Sequence, residues 1–341
     1  MNLLAGRVKG FASESSLGGF VDSVKALLSR SLDYAGLFPP AQLPLSGAIE
    51  EFCKVRNDPN EWLMVRFVLP ASRISEFIQE GRAALAEAAQ SKTPWHISGL
   101  IRSAPSITEA LDKLRAEAGL LRGLMDSHPG AIVLDSVELP LPDEVTSSHD
   151  QDLARGFFQE ALRILDEIQM KLPLFWEVKL DKSFEHIALA AFHLNRTEGN
   201  RLCLKFRTGG LTPDAIVAPD VLARAYRLAI GHQVPFKLTA GLHQALRHFD
   251  SQVGTDLFGF LNAFSAAVLG WKHNLSETEV SLLLQEKTLE HFQFTSEAMS
   301  WKNHTVTVAE IQNIRNIGLK SFGSCSFYEP IEELKKLGLV K

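Results

Sequence analysis

The sequence predicts a (β/α)8 barrel of the TIM type, elaborated but built as a single domain. Three observations carry this expectation. Strand-like and helix-like segments alternate through eight successive units. Two adjacent units share one pattern: in Leu202–Gly209 and again in Val234–Gly241, a short apolar strand carries a lysine and ends four residues later in a glycine turn, with a helix between. The GxGxxG loop that opens the rival doubly wound sheet is missing, and the first strand runs instead into Phe38-Pro39-Pro40.

A leading helix is expected around Leu17–Arg30. The strand candidates are Leu32–Phe38, Trp62–Leu69, Trp95–Ile101, Ile132–Leu139, Leu174–Leu180, Leu202–Arg207, Val234–Thr239 and His291–Thr295. Apolar residues at intervals of three and four predict helices over Ser46–Val55, Ile74–Ala89, Ile107–Met125, Leu153–Ile168, Phe184–Leu194 and Val221–Ile230. They continue over Leu257–Leu269, Glu277–Leu289 and Val308–Leu319. Ser106 with Glu109, and Ser276 with Glu277 and Glu279, read as helix starts. The barrel core spans about 31–320 of the one domain, 1–341, with a helical insertion between strands seven and eight and a C-terminal tail.

Composition excludes several classes. The 341 residues are 45% hydrophobic and 22% charged, a globular profile. A net charge of −5 and a pI near 6.1 leave no basic footprint for nucleic acid. No apolar run approaches the roughly 20 residues of a membrane helix, and the first residues lack the apolar stretch of a secretory signal. Three widely spaced cysteines, Cys53, Cys203 and Cys325, point to a reducing cytoplasm, with no disulfide or zinc framework. The eleven histidines include no HxH or HExxH pair, so neither a metal site nor a cofactor is expected. Homo-oligomerisation is left open.

Alternation assigns side chains to the two faces of each strand. Leu202, Leu204 and Phe206 face the helices, so Cys203, Lys205 and Arg207 face inward. Lys237 and Thr239 follow on the seventh strand, Glu177 and Lys179 on the fifth, and Asp33, Arg66, His96 and Ser98 on the first three. Gln293 is the inward residue expected of the eighth strand. The fourth strand carries Asp135 on one face and Ser136 with Glu138 on the other, which leaves its orientation open. Barrel interiors are ordinarily apolar, and unpaired buried charge is costly, so this set belongs near the strand C-termini, where barrels place active sites. Its excess of cations predicts a small anionic substrate, phosphorylated or carboxylated.

Lys205 and Lys237, in equivalent register on strands about 4.8 Å apart, would bring their amines together. Repulsion and burial would then lower the lysine pKa and yield the neutral amine that Schiff-base chemistry needs. Arg207 and Thr208 would hold the anionic group, and the turns Thr208-Gly209-Gly210 and Thr239-Ala240-Gly241 would let backbone N–H groups approach an oxyanion. His243, just past the second turn, would reach over the mouth as an acid/base or anion ligand, unless it sits exposed at a helix start. The segment His248–Asp256 reads as a surface loop or lid. The donor-rich Ser321–Phe327 reads as a turn packing the tail, or as an anion nest.

Lys205-Phe206-Arg207-Thr208-Gly209 resembles the Lys-x-x-Thr-Gly of the deoxyribose-phosphate aldolases, and Lys237-Leu238-Thr239-Ala240-Gly241 is similar to that family's second Lys-x-Ser/Thr-x-Gly segment. The resemblance covers about forty residues and implies class I aldolase chemistry, with Lys205 as the Schiff-base nucleophile and Lys237 tuning it. Arg207 replaces a small residue of that family, and the third strand (WHISGLI) lacks its proton-shuttling aspartate, so Glu177 or Asp135 would have to serve. The whole chain also resembles a bacterial family sharing DYAGLFPP, RTGG, the TAGLH stretch and the FGSCSF-x-EP tail, a likeness that implies no activity. The leading expectation is an aldolase- or lyase-like enzyme. Two others stand beside it: a barrel enzyme using the lysines only as anion ligands, and a non-catalytic anion-binding or assembly protein.

Overall fold

The βα units close on themselves. The structure, a computed structural model, describes residues 21–102, 104–181 and 184–341. Seven strands alternate with helices: β1 (Leu32–Tyr34), β2 (Met64–Pro70), β3 (Trp95–Leu100), β4 (Ile132–Pro140), β5 (Leu174–Val178), β6 (Leu202–Arg207) and β7 (Phe236–Thr239). An insertion follows. It holds a hairpin of β8 (His248–Asp250) and β9 (Thr255–Leu257), the helices Phe260–His273 and Glu277–Leu284, and an antiparallel sheet of β10 (Phe292–Phe294), β11 (Ala298–Trp301) and β12 (His304–Thr307). After the helix Val308–Ile317, β13 (Leu319–Ser324) pairs with both β7 and β1 and completes a closed barrel of eight parallel strands. The fold is a (β/α)8 barrel.

The eighth strand is therefore not His291–Thr295. That segment holds β10, and Gln293, expected inside the barrel, is exposed and pairs with Ser300. The sequence pattern favours β10 over the true closing strand, two strands and a helix further on, because HFQFT alternates cleanly, whereas LKSFGS does not. A register shift between Leu319 and Phe322 breaks the alternation of β13. The donor-rich stretch Ser321–Phe327 accordingly begins as barrel strand, not as a turn or nest, and the C-terminal segment that follows forms the helix Tyr328–Lys336.

The helical layer follows the sequence pattern. Ser106 accepts from the Glu109 N–H, and Ser276 forms a full capping box with Glu279. The expected helix Ile74–Ala89 is broken at Gly81 into Ile74–Glu80 and Arg82–Ser91. The leading helix spans Asp22–Leu28, and residues 17–20 of its expected range lie outside the described residues. Leu202, Leu204, Phe206, Phe236 and Leu238 lie in the apolar core between barrel and helices, where the Phe206 and Phe236 rings stack 5.0 Å apart. Among the described residues no helix is long and apolar enough to cross a membrane.

A second register shift, between Ile97 and Ser98 against β4, resolves the fourth strand. Ile97 pairs with Leu134 and Ser98 with Ser136, so Asp135 is an extra residue, a β-bulge. Before the bulge Asp135 faces inward, and after it Ser136 and Glu138 do, while Leu134, Val137 and Leu139 pack in the apolar core. Both faces of the sequence pattern thus enter the barrel.

With β13 as the closing strand, the Phe322 N–H donates to the Ser31 carbonyl and the Ala35 N–H to the Ser324 carbonyl, each at 2.7 Å. These two amides should exchange with deuterium as slowly as Leu204 in the middle of the barrel, and Gln293 far faster. Fast exchange at Phe322 in a mass-spectrometric or NMR time course would refute the closure.

Candidate functional site

The loops after the strand C-termini enclose a cavity of about 580 Å³. Its floor carries Lys205, Lys237, Glu138 and Glu177, and its walls are largely apolar, with Phe38, Val68, Leu100, Ile101 and Leu257 among them. Arg102, Arg207 and His243 also line it, and Asp250, Gln252 and Val253 from the hairpin β8–β9 cover one side. The hairpin lies in His248–Asp256, which the sequence left between loop and lid. His243 Nδ1 lies 2.9 Å from Glu329 Oε2, tying the mouth to the final helix.

Lys205 and Lys237 pair directly across β6 and β7, as their spacing predicts. The repulsion expected between them does not result, because Glu138 stands between the amines. Its Oε2 lies 3.0 Å from Lys205 Nζ and its Oε1 accepts from Lys237 Nζ at 2.7 Å. Lys205 also meets Glu177 at 3.1 Å, and Lys237 also donates to Asp33. Burial alone would lower the Lys205 pKa, but the two carboxylates outweigh it and hold the ammonium above its ordinary value. That reverses the expected lowering. For Glu138, burial pushes the pKa up, and the charges of Lys237 and Lys205 more than offset it, keeping the carboxylate well below the usual glutamate range.

Beneath this pair the polar filling continues. Asp33 is fully buried and accepts from Ser321 Oγ at 2.6 Å and from Arg66 at 3.1 Å. Arg66 reaches on to Asp135 at 3.3 Å, and His96 Nδ1 donates to the same carboxylate at 3.0 Å. The Ser98 and Ser136 hydroxyls are 2.7 Å apart. Burial, the largest influence on Arg66, works against its charge, yet Asp33 and Asp135 prevail and raise its pKa. Cys203 also faces the interior, where burial pushes its thiol up to about 12; it is no nucleophile.

Four cations (Arg66, Lys205, Arg207, Lys237) are thus matched by four carboxylates (Asp33, Asp135, Glu138, Glu177). The expected cationic excess is therefore absent from this network next to the cavity. Lys179 is not part of it: it follows β5, pairs with Asp143 at 2.6 Å and is largely exposed in a neighbouring groove. Arg207 sits on the rim, its Nε donating to the Gly209 carbonyl at 3.2 Å and its NH1 3.7 Å from Glu177. Thr208 does not offer its hydroxyl to a ligand, since that group donates to the Ala240 carbonyl at 2.6 Å. A side chain at Gly209 would stand 2.9 Å from the Gly241 Cα, and Gly241 has a φ of +75°, so these glycines let two turns clasp each other. Gly210, Gly241 and Thr239 line the cavity. Of the two carboxylates expected as proton shuttle, Glu177 lines the cavity and Asp135 does not.

Sequence reasoning missed Glu138 as the bridging carboxylate, Ser321, and Arg102. For Glu138 the signal was present: polar residues on both faces of Asp135–Glu138 are what a bulge reconciles. Among the described residues no group of three or more His, Cys, Asp or Glu is placed to hold a metal ion.

No family model matches the sequence, and no curated protein does. Among solved structures, a malate synthase of Haloferax volcanii, in a ternary complex with pyruvate and acetyl-CoA, is 12% identical; 91% of this chain and 74% of that one are covered, at a TM-score of 0.39. Likeness at that level says nothing of residues or chemistry, and the barrel rests on the strand pairing itself.

Glu138→Ala should leave two buried ammonium groups short of a counter-charge and lower the unfolding free energy by about 3–5 kcal/mol, read from urea denaturation. Because the folded Glu138 pKa lies below its ordinary 4.5, its contribution is fully present above that value and is lost as pH falls toward the depressed one. Below pH 4.5 the stability of Glu138→Gln should therefore fall less steeply than that of the parent chain.

Proposed function

We propose that the protein is an enzyme acting on a small carbonyl compound that bears an anionic group, with Lys205 as Schiff-base nucleophile. The observation that carries this reading is Lys205 on the cavity floor between two carboxylates, one of which, Glu177, also faces the rim cation Arg207. Binding an anion at Arg207 draws that guanidinium away from Glu177 and excludes water from the floor. Desolvation favours the neutral pair over the charged one, so the Lys205 proton passes to Glu177. The free amine attacks the carbonyl carbon, a C–N bond forms as the C=O π pair moves to oxygen, and the attacking nitrogen gives up a proton that the oxygen takes up. Glu177 then returns its proton as the hydroxyl leaves as water, giving an iminium whose positive nitrogen accepts the electrons of an adjacent breaking C–C or C–H bond. Lys237 keeps Glu138 ionised and in place, a positioning role; it does not act by repelling Lys205.

The raised Lys205 pKa favours a second reading, in which both lysines remain charged and bind an anion without a covalent step. The two diverge on substitution. Incubation with pyruvate, dihydroxyacetone phosphate or glyceraldehyde 3-phosphate and sodium cyanoborohydride should give a mass adduct at Lys205. Because the proton moves within the Lys205–Glu177 pair and is not lost to solvent, the rate of adduct formation should change little with pH below the lysine pKa. Lys205→Arg and Lys205→Met should give none. Absence of an adduct with all three compounds, together with phosphate binding preserved in Lys205→Arg, would replace the covalent reading by the second.

A further inference from the structure

The floor of the cavity is electrically balanced, so selection for ligand charge falls to its rim. Arg207 is one rim cation. The other is Arg102, which follows β3 and lines the same cavity. In the barrel order β3 and β6 are separated by β5 and β4, so the two guanidinium groups stand on different sides of the mouth. The apolar residues Leu100, Ile101 and Leu211 line the same cavity.

Arg102 is held in an unusual way for a surface residue. Its Nε donates to Glu117 Oε1 at 2.7 Å and its backbone N–H to Glu117 Oε2 at 3.2 Å. Glu117, on the helix Ile107–Ser127, is only 4% exposed, whereas the Arg102 side chain is 66% exposed. Burying a carboxylate is costly, and an ion pair with so exposed a partner contributes little to stability. What the arrangement does is fix the direction of the guanidinium. Arg207 is tethered in the same manner, through Nε to the Gly209 carbonyl. Tethering through Nε leaves the terminal amino groups of Arg102 without a partner among the described residues, and those of Arg207 with only the 3.7 Å approach to Glu177. Terminal amino groups held in a fixed fork are what recognises a carboxylate or phosphate.

The geometry points to a substrate with two anionic groups, one taken by Arg207 and the other by Arg102, and its reacting carbon between them above Lys205. Glu117 is a positioning residue for the Arg102 end. This rests on the proposed function for the location of the reacting carbon, but not for the binding of the two ends. The ligand class is therefore a short dianion: a dicarboxylate, or a phosphate ester that also carries a carboxylate.

Carbonyl-free probes separate the two questions, because they bind without forming an imine. Isothermal titration calorimetry of the full chain at low ionic strength would compare butyrate with the dicarboxylates from malonate to adipate, and with 2-phosphoglycolate. At least one dianion should bind about tenfold or more tighter than butyrate, with the dicarboxylate series and phosphoglycolate distinguishing the two kinds of end group. Arg102→Met should remove that preference by bringing dianion affinity down to that of butyrate, and Arg207→Met should remove it likewise. Glu117→Gln should lower dianion affinity alone. Dianions that bind no better than butyrate, or a preference that survives Arg102→Met, would overturn the inference. A dianion preference without any adduct at Lys205, tested also with the keto dicarboxylates oxaloacetate and 2-oxoglutarate, would sink only the Schiff-base reading, and an adduct without the preference only this one.

Discussion

One carboxylate holds the centre of this barrel together. Glu138 lies between two lysines that β6 and β7 place side by side, and it meets one of them with each oxygen. Without it, adjacent ammonium groups would face each other in a buried space. With it, Lys205 can sit at the floor of an apolar-walled cavity and still meet a second carboxylate, Glu177, on the cavity side. The bulge at Asp135 makes this possible, since a regular strand could not aim both Asp135 and Glu138 inward.

A barrel of this kind is usually filled with branched apolar layers. Here acids and bases alternate from the cavity downward: Glu177, Lys205, Glu138, Lys237, Asp33, Arg66, Asp135 and His96. Each member is ion-paired with a neighbour, which is the condition under which buried charge is tolerable. Arg315 is half-buried over the Phe264 ring and donates to the Lys320 and Ser29 carbonyls. Burial, with the repulsion of Arg66, brings its pKa down to about 9. A filling of ion pairs gains less from burial than an apolar one, but it fixes the lysines in one geometry.

Much of this was legible in the sequence, and the parts that were not share a cause. Period-two alternation in β5, β6 and β7 is unbroken, so the inward placing of Glu177, Lys205 and Lys237 could be read residue by residue. Alternation fails at a bulge. Both β4 and β13 carry one, and there the reading left Glu138 undecided and exchanged β13 for β10. Local pattern also says nothing of partners distant in sequence: the Glu117 that orients Arg102 is fifteen residues on, and Thr208 looked available only because its acceptor at Ala240 belongs to another unit. The excess of positive charge was an artefact of the same limit, produced by counting Lys179 and omitting two acids of β4.

The polar filling also constrains how the chain can be assembled. Asp33 emerges first among the interior charges, yet Lys237 is 204 residues away in sequence and Ser321 is 288. A growing chain that has made only the first four strands carries Asp33, Asp135 and Glu138 against Arg66 alone, an acidic half-barrel that repels itself. The lysines that neutralise it arrive with β6 and β7, and the ring closes only when the last strand has left the ribosome. Non-local closure of this sort is slow, since the loop entropy is spent before the contacts form. Apolar half-barrels can collapse early on their own surfaces, whereas one lined with carboxylates lacks its counter-charges until β6 and β7 are in place.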